Sequence, residues 1–453
     1  MNWFENLVNI INGIMWNKNL LVILLVVSGI IFTIRTRGVQ FRLFAHMCQL
    51  LTEKSKAGKD EVSSFQAFCI STASRVGVGN LAGVVAAVSV GGPGSVFWMW
   101  VVALLNSSTA FIESTIAILY REKDPKGGYR GGAPYFLTKG LNQRWLGILF
   151  VIFALICWGG VFQVISNSVT ESFNTAFGIN TSMTSLILVI LSAGVLFGNR
   201  NKIVKVLDKM VPFMAALYLI VVFYIIVKNI GLMGTTMVDI FEHAFGVKQF
   251  LGGTFGSVVM EGVKRGLFSN EAGSGSAPCA AAAAEVEHPA KQGLVQAFSV
   301  YVDTLLICMA TGIMIVITGM YNVTGVCTTL PGVEPGPQYV QSAINTLHPQ
   351  LGDIFIAIVL LLFTFTTLLA FSYMMETNVS YLVTRIKAEK HEKYIINVCR
   401  FMLITCAAMC CFIEPLTSWA LGDICIGVLT YINLIAIFTL KKPAIKAYYD
   451  YIR

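Results

Sequence analysis

The sequence predicts an all-α integral membrane protein of eleven transmembrane helices. One N-terminal helix precedes a 5+5 inverted repeat, and each half of the repeat opens with a discontinuous helix. Three observations point there. Of 453 residues, 56% are hydrophobic and 12% charged, with a mean hydropathy of +0.72, whereas soluble domains carry about 25% charged residues. Apolar runs long enough to cross a bilayer recur along the chain. Two of these runs, in matching positions, are interrupted by glycine-rich polar stretches.

The first run, 19–34, follows an N-terminus with no basic segment and no small-residue cleavage site, so a retained helix is expected. The others lie at 64–90, 95–119, 145–170, 182–198, 210–227, 251–277, 293–318, 351–384, 395–413 and 417–440. They divide the chain into an N-terminal helix and linker (1–63), a first five-helix repeat (64–227), a second (251–440) and a tail (441–453). Five is odd, so the second set must enter the membrane from the opposite face. That is the arrangement of inverted-repeat secondary transporters.

Charge orients the chain. With the N-terminus outside, 25 of the 32 lysines and arginines fall in one set of loops. Three (Lys18, Lys228, Lys248) fall in the other, and four (Arg75, Lys264, Arg265, Arg400) lie within spans. By the positive-inside rule the C-terminus is cytoplasmic, in what is expected to be a prokaryotic plasma membrane. The net charge of +8 follows this topology and implies a lipid partner, with no nucleic acid. Seven of the eleven cysteines lie in apolar runs and Cys327 in an outward loop, so all are read as small core residues without metal spacing.

The interruptions are "RVGVGN" at 75–80 and "EGVKRG" at 261–266, the latter followed by "NEAGSG" at 270–275. Glycine costs roughly 1 kcal/mol inside a helix, and an unpaired backbone group in hydrocarbon costs several. Breaks there survive where they line an enclosed, hydrated cavity. Freed amides of Gly77, Val78 and Gly79 at a half-helix N-terminus suit a carboxylate, and freed carbonyls suit a cation. The alternative is that these glycines only allow close helix packing.

The stretch "SSFQAFCISTASRVGVGNLAGVVAAVSVGGPGSVFWMW" (63–100) resembles the signature of the alanine or glycine:cation symporter family, also called sodium:alanine symporters. "GVKRGLFSNEAGSGSAP" (262–278) and "QGLVQAFSVYVDTLLIC" (292–308) resemble its further hallmarks. The resemblance covers nearly the whole chain. It implies sodium-driven symport of small neutral amino acids by a leucine-transporter-like fold with one additional N-terminal helix. Sodium is then the coupling ion and a small amino acid the substrate, while oligomeric state stays open. Where the family has a hydroxyl residue this chain has Val78, and Ile165 and Phe371 also depart from the pattern, making the pocket more apolar.

The interruptions and the resemblance nominate a site. Gly77, Val78, Gly79, Asn80 and Gly262 would meet the substrate through the two interruptions, together with Thr367, while Phe162, Ile165 and Phe371 would wall its side chain. Asn80, Thr366 and Thr367 would supply oxygen to sodium. For Asn80 the rival role is a helix cap, for the threonines back-bonding to their own helix, and for the aromatics plain core. Arg75, Glu261, Lys264, Arg265 and Asp303 are charges inside spans, where each costs about 2.5–3.5 kcal/mol on insertion scales. Arg75 is expected to pair with Glu261 or Glu271 as an inner gate, with Asp303 in the same network; Glu271 at a helix terminus is the alternative.

An intramembrane enzyme would need a nucleophile with a base, or a metal set. The five histidines lie in loops or near span ends, and neither G-x-S-x-G nor H-E-x-x-H occurs. A passive channel would not require paired, inverted interruptions. Proton coupling through Glu261 or Asp303, or transport of an altered substrate, is the rival on the same fold.

Overall fold

In hydrocarbon a chain must satisfy its backbone groups internally, and helices do so within one segment. The computed structural model describes residues 3–16, 19–53, 58, 61–125, 127–197, 200–245, 255–413 and 415–453, and it is almost wholly helical. The helices α1 (Trp3–Trp16) and α2 (Leu20–Arg35) form an N-terminal arm, and short α3 (Val39–Arg42) and α4 (Phe44–Thr52) lead onward. Next, α5 (Ser64–Arg75) starts at a capping box in which Ser63 and Gln66 exchange bonds of 3.1 Å. A single 3-10 turn, Val78–Asn80, then leads to α6 (Ala82–Gly91).

The first half continues through α7 (Gly94–Leu119), the hairpin β1 (Glu122–Lys123) with β2 (Tyr129–Arg130), α8 (Ala133–Lys139), α9 (Arg144–Phe177), α10 (Thr181–Leu196) and α11 (Arg200–Lys228). After α12 (Met233–Phe245), the second half begins with α13 (Phe255–Asn270) and α14 (Ala277–Ala281). Then come α15 (Pro289–Thr318), which is π-helical over Tyr301–Cys308, and the hairpin β3 (Asn322–Val323) with β4 (Cys327–Thr328). Four helices end the chain: α16 (Pro337–Asn345), α17 (Leu351–Arg385), α18 (Glu392–Ala408) and α19 (Pro415–Tyr451).

Seven helical stretches are long and apolar enough to cross a membrane: Asn6–Arg35, α7, α9, most of α11, α15, α17 and most of α19. The pair α5–α6, bent by 60°, makes an eighth. This is a multi-pass membrane protein. Helices also occupy the expected runs at 182–198, 251–277 and 395–413. At 16, 16 and 17 residues, α10, α13 and α18 are shorter than the about 20 residues of a full crossing. Residues 251–254, and Lys18, Lys54, Lys56, Lys59, Lys126 and Lys248 of the charge count, lie outside the described residues.

Hydropathy gave no warning of α12 and α16, which are short and amphipathic. The first lies against the start of α7 so closely that a Cβ on Gly94 would collide with the His243 backbone. At the centre, α7 packs on α15, α13 and α2, while α9 packs on α17 and α19. Ile152, Met183, Ile190, Phe213 and Ile220 point outward, as a lipid-facing surface requires. Cys69, Cys157, Cys279, Cys308, Cys399 and Cys410 are buried, but Cys48, Cys327, Cys406 and Cys425 are only half-buried, so those four are not the core thiols expected.

Candidate functional site

The first break begins where α5 ends at Arg75. Gly77 is fully extended (φ −161°, ψ −147°), and its N–H donates 2.7 Å to Asn80 Oδ1. Asn80 therefore caps the break with its amide oxygen, and its Nδ2 donates to Asp303 O (3.1 Å) and Asp303 Oδ1 (2.7 Å). The N–H groups of Val78 and Gly79, in the first turn of the short helix, have no intrahelical acceptor. Neighbouring helices press on this backbone. A Cβ on Gly77 would stand 3.1 Å from Thr367 Oγ1, and one on Gly79 would stand 3.2 Å from Ser269 Cα. All residues from 67 to 85 are buried, so the break is enclosed by protein.

The second break is not at 261–266. That stretch is inside continuous α13, and Gly262 serves packing: a Cβ there would stand 2.6 Å from Ser95 O and from Trp98 Cβ of α7. Gly262 and Gly266 form a small-xxx-small crossing on α7, so Gly262 is no part of the break. The helix stops instead at Glu271 (φ +51°), Gly273 (φ +89°) and Gly275 (φ +86°). Glu113 on α7 accepts the Gly273 N–H (3.1 Å), while Asn433 on α19 donates to both Glu113 Oε2 (2.9 Å) and Gly273 O (2.8 Å). The Glu271 carboxylate accepts Ser276 Oγ–H (2.5 Å) and Ser74 Oγ–H (3.3 Å), reaching the first broken helix.

Asp303 ties the two breaks together. It lies in the π-helical turn of α15, a distortion that recurs at functional sites. Fully buried, its carboxylate accepts from Asn80, Ser269 (2.9 and 3.1 Å) and Thr304 (2.7 Å). Thr367 of α17 donates 3.0 Å to the Ala73 carbonyl at the end of α5. Thr366 turns the other way, bonding Phe363 O (3.0 Å) and contacting Met214 Sδ (3.1 Å) on α11. Adjacent helical residues point about 100° apart, and here Thr366 meets α11 while Thr367 meets the first break. Phe371 stacks on Trp158, with ring centroids 6.2 Å apart, and Phe162 and Ile165 are buried in the same core.

The expected gate separates into two clusters. Arg75, fully buried, donates to Gln296 O (3.2 Å) and Ser299 Oγ, not to Glu261 or Glu271, and its Nε and Nη2 have no hydrogen-bond partner among the described residues. Glu261 stands beside Gly91, at the far end of the broken helix from Arg75. There Asp423 of α19 pairs with Lys264 (2.8 Å) and Arg265 (3.1 Å), and Glu261 lies 3.6 Å from Arg265. Trp419 covers this network, 4.7 Å from the Arg265 guanidinium and 4.9 Å from the Phe268 ring.

Sequence reasoning missed Ser269, Thr304, Glu113 and Asn433. Glu113 and Asp423 carried a usable signal, an acid within an apolar span; the hydroxyls carried none. Oxygen donors are what a hard cation takes. They lie here in two groups: Ala73 O with Thr367 Oγ1, and Asn80, Ser269, Thr304 and Asp303. Among the described residues no group of three or more His, Cys, Asp or Glu could hold a metal ion.

Known proteins resemble this chain along most of its length. The model of the sodium:alanine symporter family matches residues 1–453. A putative sodium/proton-dependent alanine carrier protein, YrbD, of Bacillus subtilis (strain 168) is 41% identical over 98% of this chain and 91% of its own length. A probable sodium/glutamine symporter, GlnT, of the same organism is 40% identical over 99% and 91%. Among solved structures, MhsT in complex with L-phenylalanine superposes with a TM-score of 0.56 at 13% identity, covering 87% of this chain and 99% of that one. At that identity the match speaks to the fold alone, a leucine-transporter-like one.

Proposed function

Because the chain belongs to the sodium:alanine symporter family, we propose that it carries a small neutral amino acid together with sodium by alternating access. The observation that carries this reading is the meeting of two broken helices at one buried point, where Asp303 accepts bonds from Asn80 of the first and Ser269 of the second. The eleven helices would all span, with the N-terminus outside, the tail in the cytoplasm, and residues 64–227 and 251–440 inverted copies. Helices α1 and α2 stand outside the repeat.

In this mechanism the substrate carboxylate takes the Val78 and Gly79 amides, joined by Gly77 when Asn80 releases it. Phe371, Ile165 and Phe162 bound the side chain, and Val78 narrows the room left for it. One sodium ion binds between the Ala73 carbonyl and Thr367 Oγ1; the carboxylate of Asp303, with Asn80 and Ser269, offers a second position. The Glu261–Lys264–Arg265–Asp423 network, under Trp419, closes the outer path, and Glu271 with Ser74 and Ser276 belongs to the inner one. Moving one positive charge inward yields about 2.3 kcal/mol per 100 mV, which is roughly fiftyfold accumulation at 1.4 kcal/mol per tenfold.

A proton-coupled version is favoured by one observation. Glu271 and Asp303 are buried carboxylates whose bonds come from hydroxyl and amide groups and not from a cation. Uptake of labelled alanine into proteoliposomes under a sodium gradient, and separately under a proton gradient, tests both. Uptake driven equally well without sodium removes sodium coupling. A competition panel of amino acids identifies the substrate, and no inhibition by any of them would sink the reading.

A further inference from the structure

Where α2 ends and α19 runs on, the two helices enclose a groove of about 580 Å3 rimmed by Arg35, Arg37, Lys441, Lys442 and Lys446. With 37 residues, α19 is about 55 Å long, far beyond the roughly 30 Å of hydrocarbon in a bilayer. Its apolar run ends at Leu440, immediately before Lys441 and Lys442, and α2 ends on Arg35. The groove therefore stands at headgroup depth. The cations lie over rings: Arg37 is 5.7 Å from the Tyr449 ring and Lys441 is 5.4 Å from that of Phe438. The nearest acid in sequence, Asp450, lies 3.7 Å from His288 instead.

Five like charges around one groove repel one another, and an anion bound among them removes that cost. The same groove is lined by Ile34, 69% exposed, and by Ile445. Cations beside exposed aliphatic side chains at this depth match a molecule that is anionic at one end and apolar beyond it. We propose that this groove binds the phosphodiester headgroup of an anionic phospholipid, with the start of its acyl chains against Ile34, and so clasps the N-terminal arm to the last helix.

The test is native mass spectrometry of the full chain from nanodiscs of phosphatidylcholine doped with phosphatidylglycerol. Wild type should retain phosphatidylglycerol in preference to phosphatidylcholine. A Lys441→Gln, Lys442→Gln, Lys446→Gln variant should lose about a hundredfold in apparent affinity, since each cation near an anionic surface contributes about fivefold. Arg37→Gln alone, which spares α19, should lose a smaller part of the same preference. Equal retention of the two lipids by wild type, or unchanged preference in the triple variant, overturns the proposal. So does displacement of the lipid by millimolar inorganic phosphate, which would assign the groove to free phosphate.

Discussion

Replacing Thr367 by valine removes one hydroxyl and leaves a side chain of the same branching, so α17 stays helical and its contact with Gly77 persists. The hydroxyl donates 3.0 Å to Ala73 O, and the residue is 1% exposed, so no water can take its place. With sodium bound, the variant lacks one oxygen ligand, a contact to a charged group that contributes about 1.5–3 kcal/mol, or about 10- to 150-fold in an equilibrium constant. If sodium binds between these two oxygens, that factor appears in the sodium concentration giving half-maximal uptake, measured in proteoliposomes with labelled alanine. Thr367→Ser, which keeps the oxygen, should restore it. An unchanged sodium half-saturation in Thr367→Val with uptake intact would refute the reasoning. A serine variant as impaired as valine would point to lost packing instead.

Asp303→Asn removes the charge that receives Asn80, Ser269 and Thr304; charge-assisted bonds contribute about 1.5–3 kcal/mol each, so sodium-dependent uptake should fall about tenfold or more while thermal unfolding in detergent stays cooperative. Asp423→Asn leaves Lys264 and Arg265 with Glu261 alone in a buried site, where breaking an ion pair costs about 3–5 kcal/mol, and a melting temperature equal to wild type would contradict that account. Gly79→Ala sets a Cβ 3.2 Å from the Ser269 backbone and should reduce uptake, whereas Gly83→Ala meets only Trp419 at 3.6 Å and should be tolerated in the same assay. Gly275→Ala combines φ +86° with a contact of 2.9 Å to Phe150 and should lower the yield of folded protein in size-exclusion chromatography.

Within the sequence, hydropathy carried the membrane class, and glycines beside polar residues carried the first break, because both are local. "RVGVGN" contains the signal for its own unwinding in Gly77, Gly79 and the cap Asn80. The second break was only half legible. Both "EGVKRG" and "NEAGSG" are glycine-rich, yet the first is helix, since α7 comes close enough to need Gly262 and Gly266, and the second unwinds because Glu113 and Asn433 receive its freed groups. Nothing within 261–275 tells those two uses of glycine apart.

Of the ion pairs expected among the charges inside spans, Glu261 does lie 3.6 Å from Arg265 and 3.9 Å from Lys264, but Arg75 bonds to Gln296 and Ser299 instead of Glu261 or Glu271. Arg75, Glu261 and Glu271 each lie within an expected span of the sequence, but partner choice depends on which end of each broken helix a residue occupies. Lys264 and Arg265 take Asp423 from a helix that lies beyond residue 415, and Glu271 takes hydroxyls. The sequence by itself determined the class of molecule and where to look for breaks, because composition and backbone preference act within a few residues, whereas Thr367 was nominated only through the family resemblance. Only the tertiary structure decided that Thr367 and not Thr366 faces the break, and that Ser269, Glu113 and Asn433 belong beside it. Those contacts join residues far apart along the chain, and the rotation of one helix against another is set by packing that no single segment encodes.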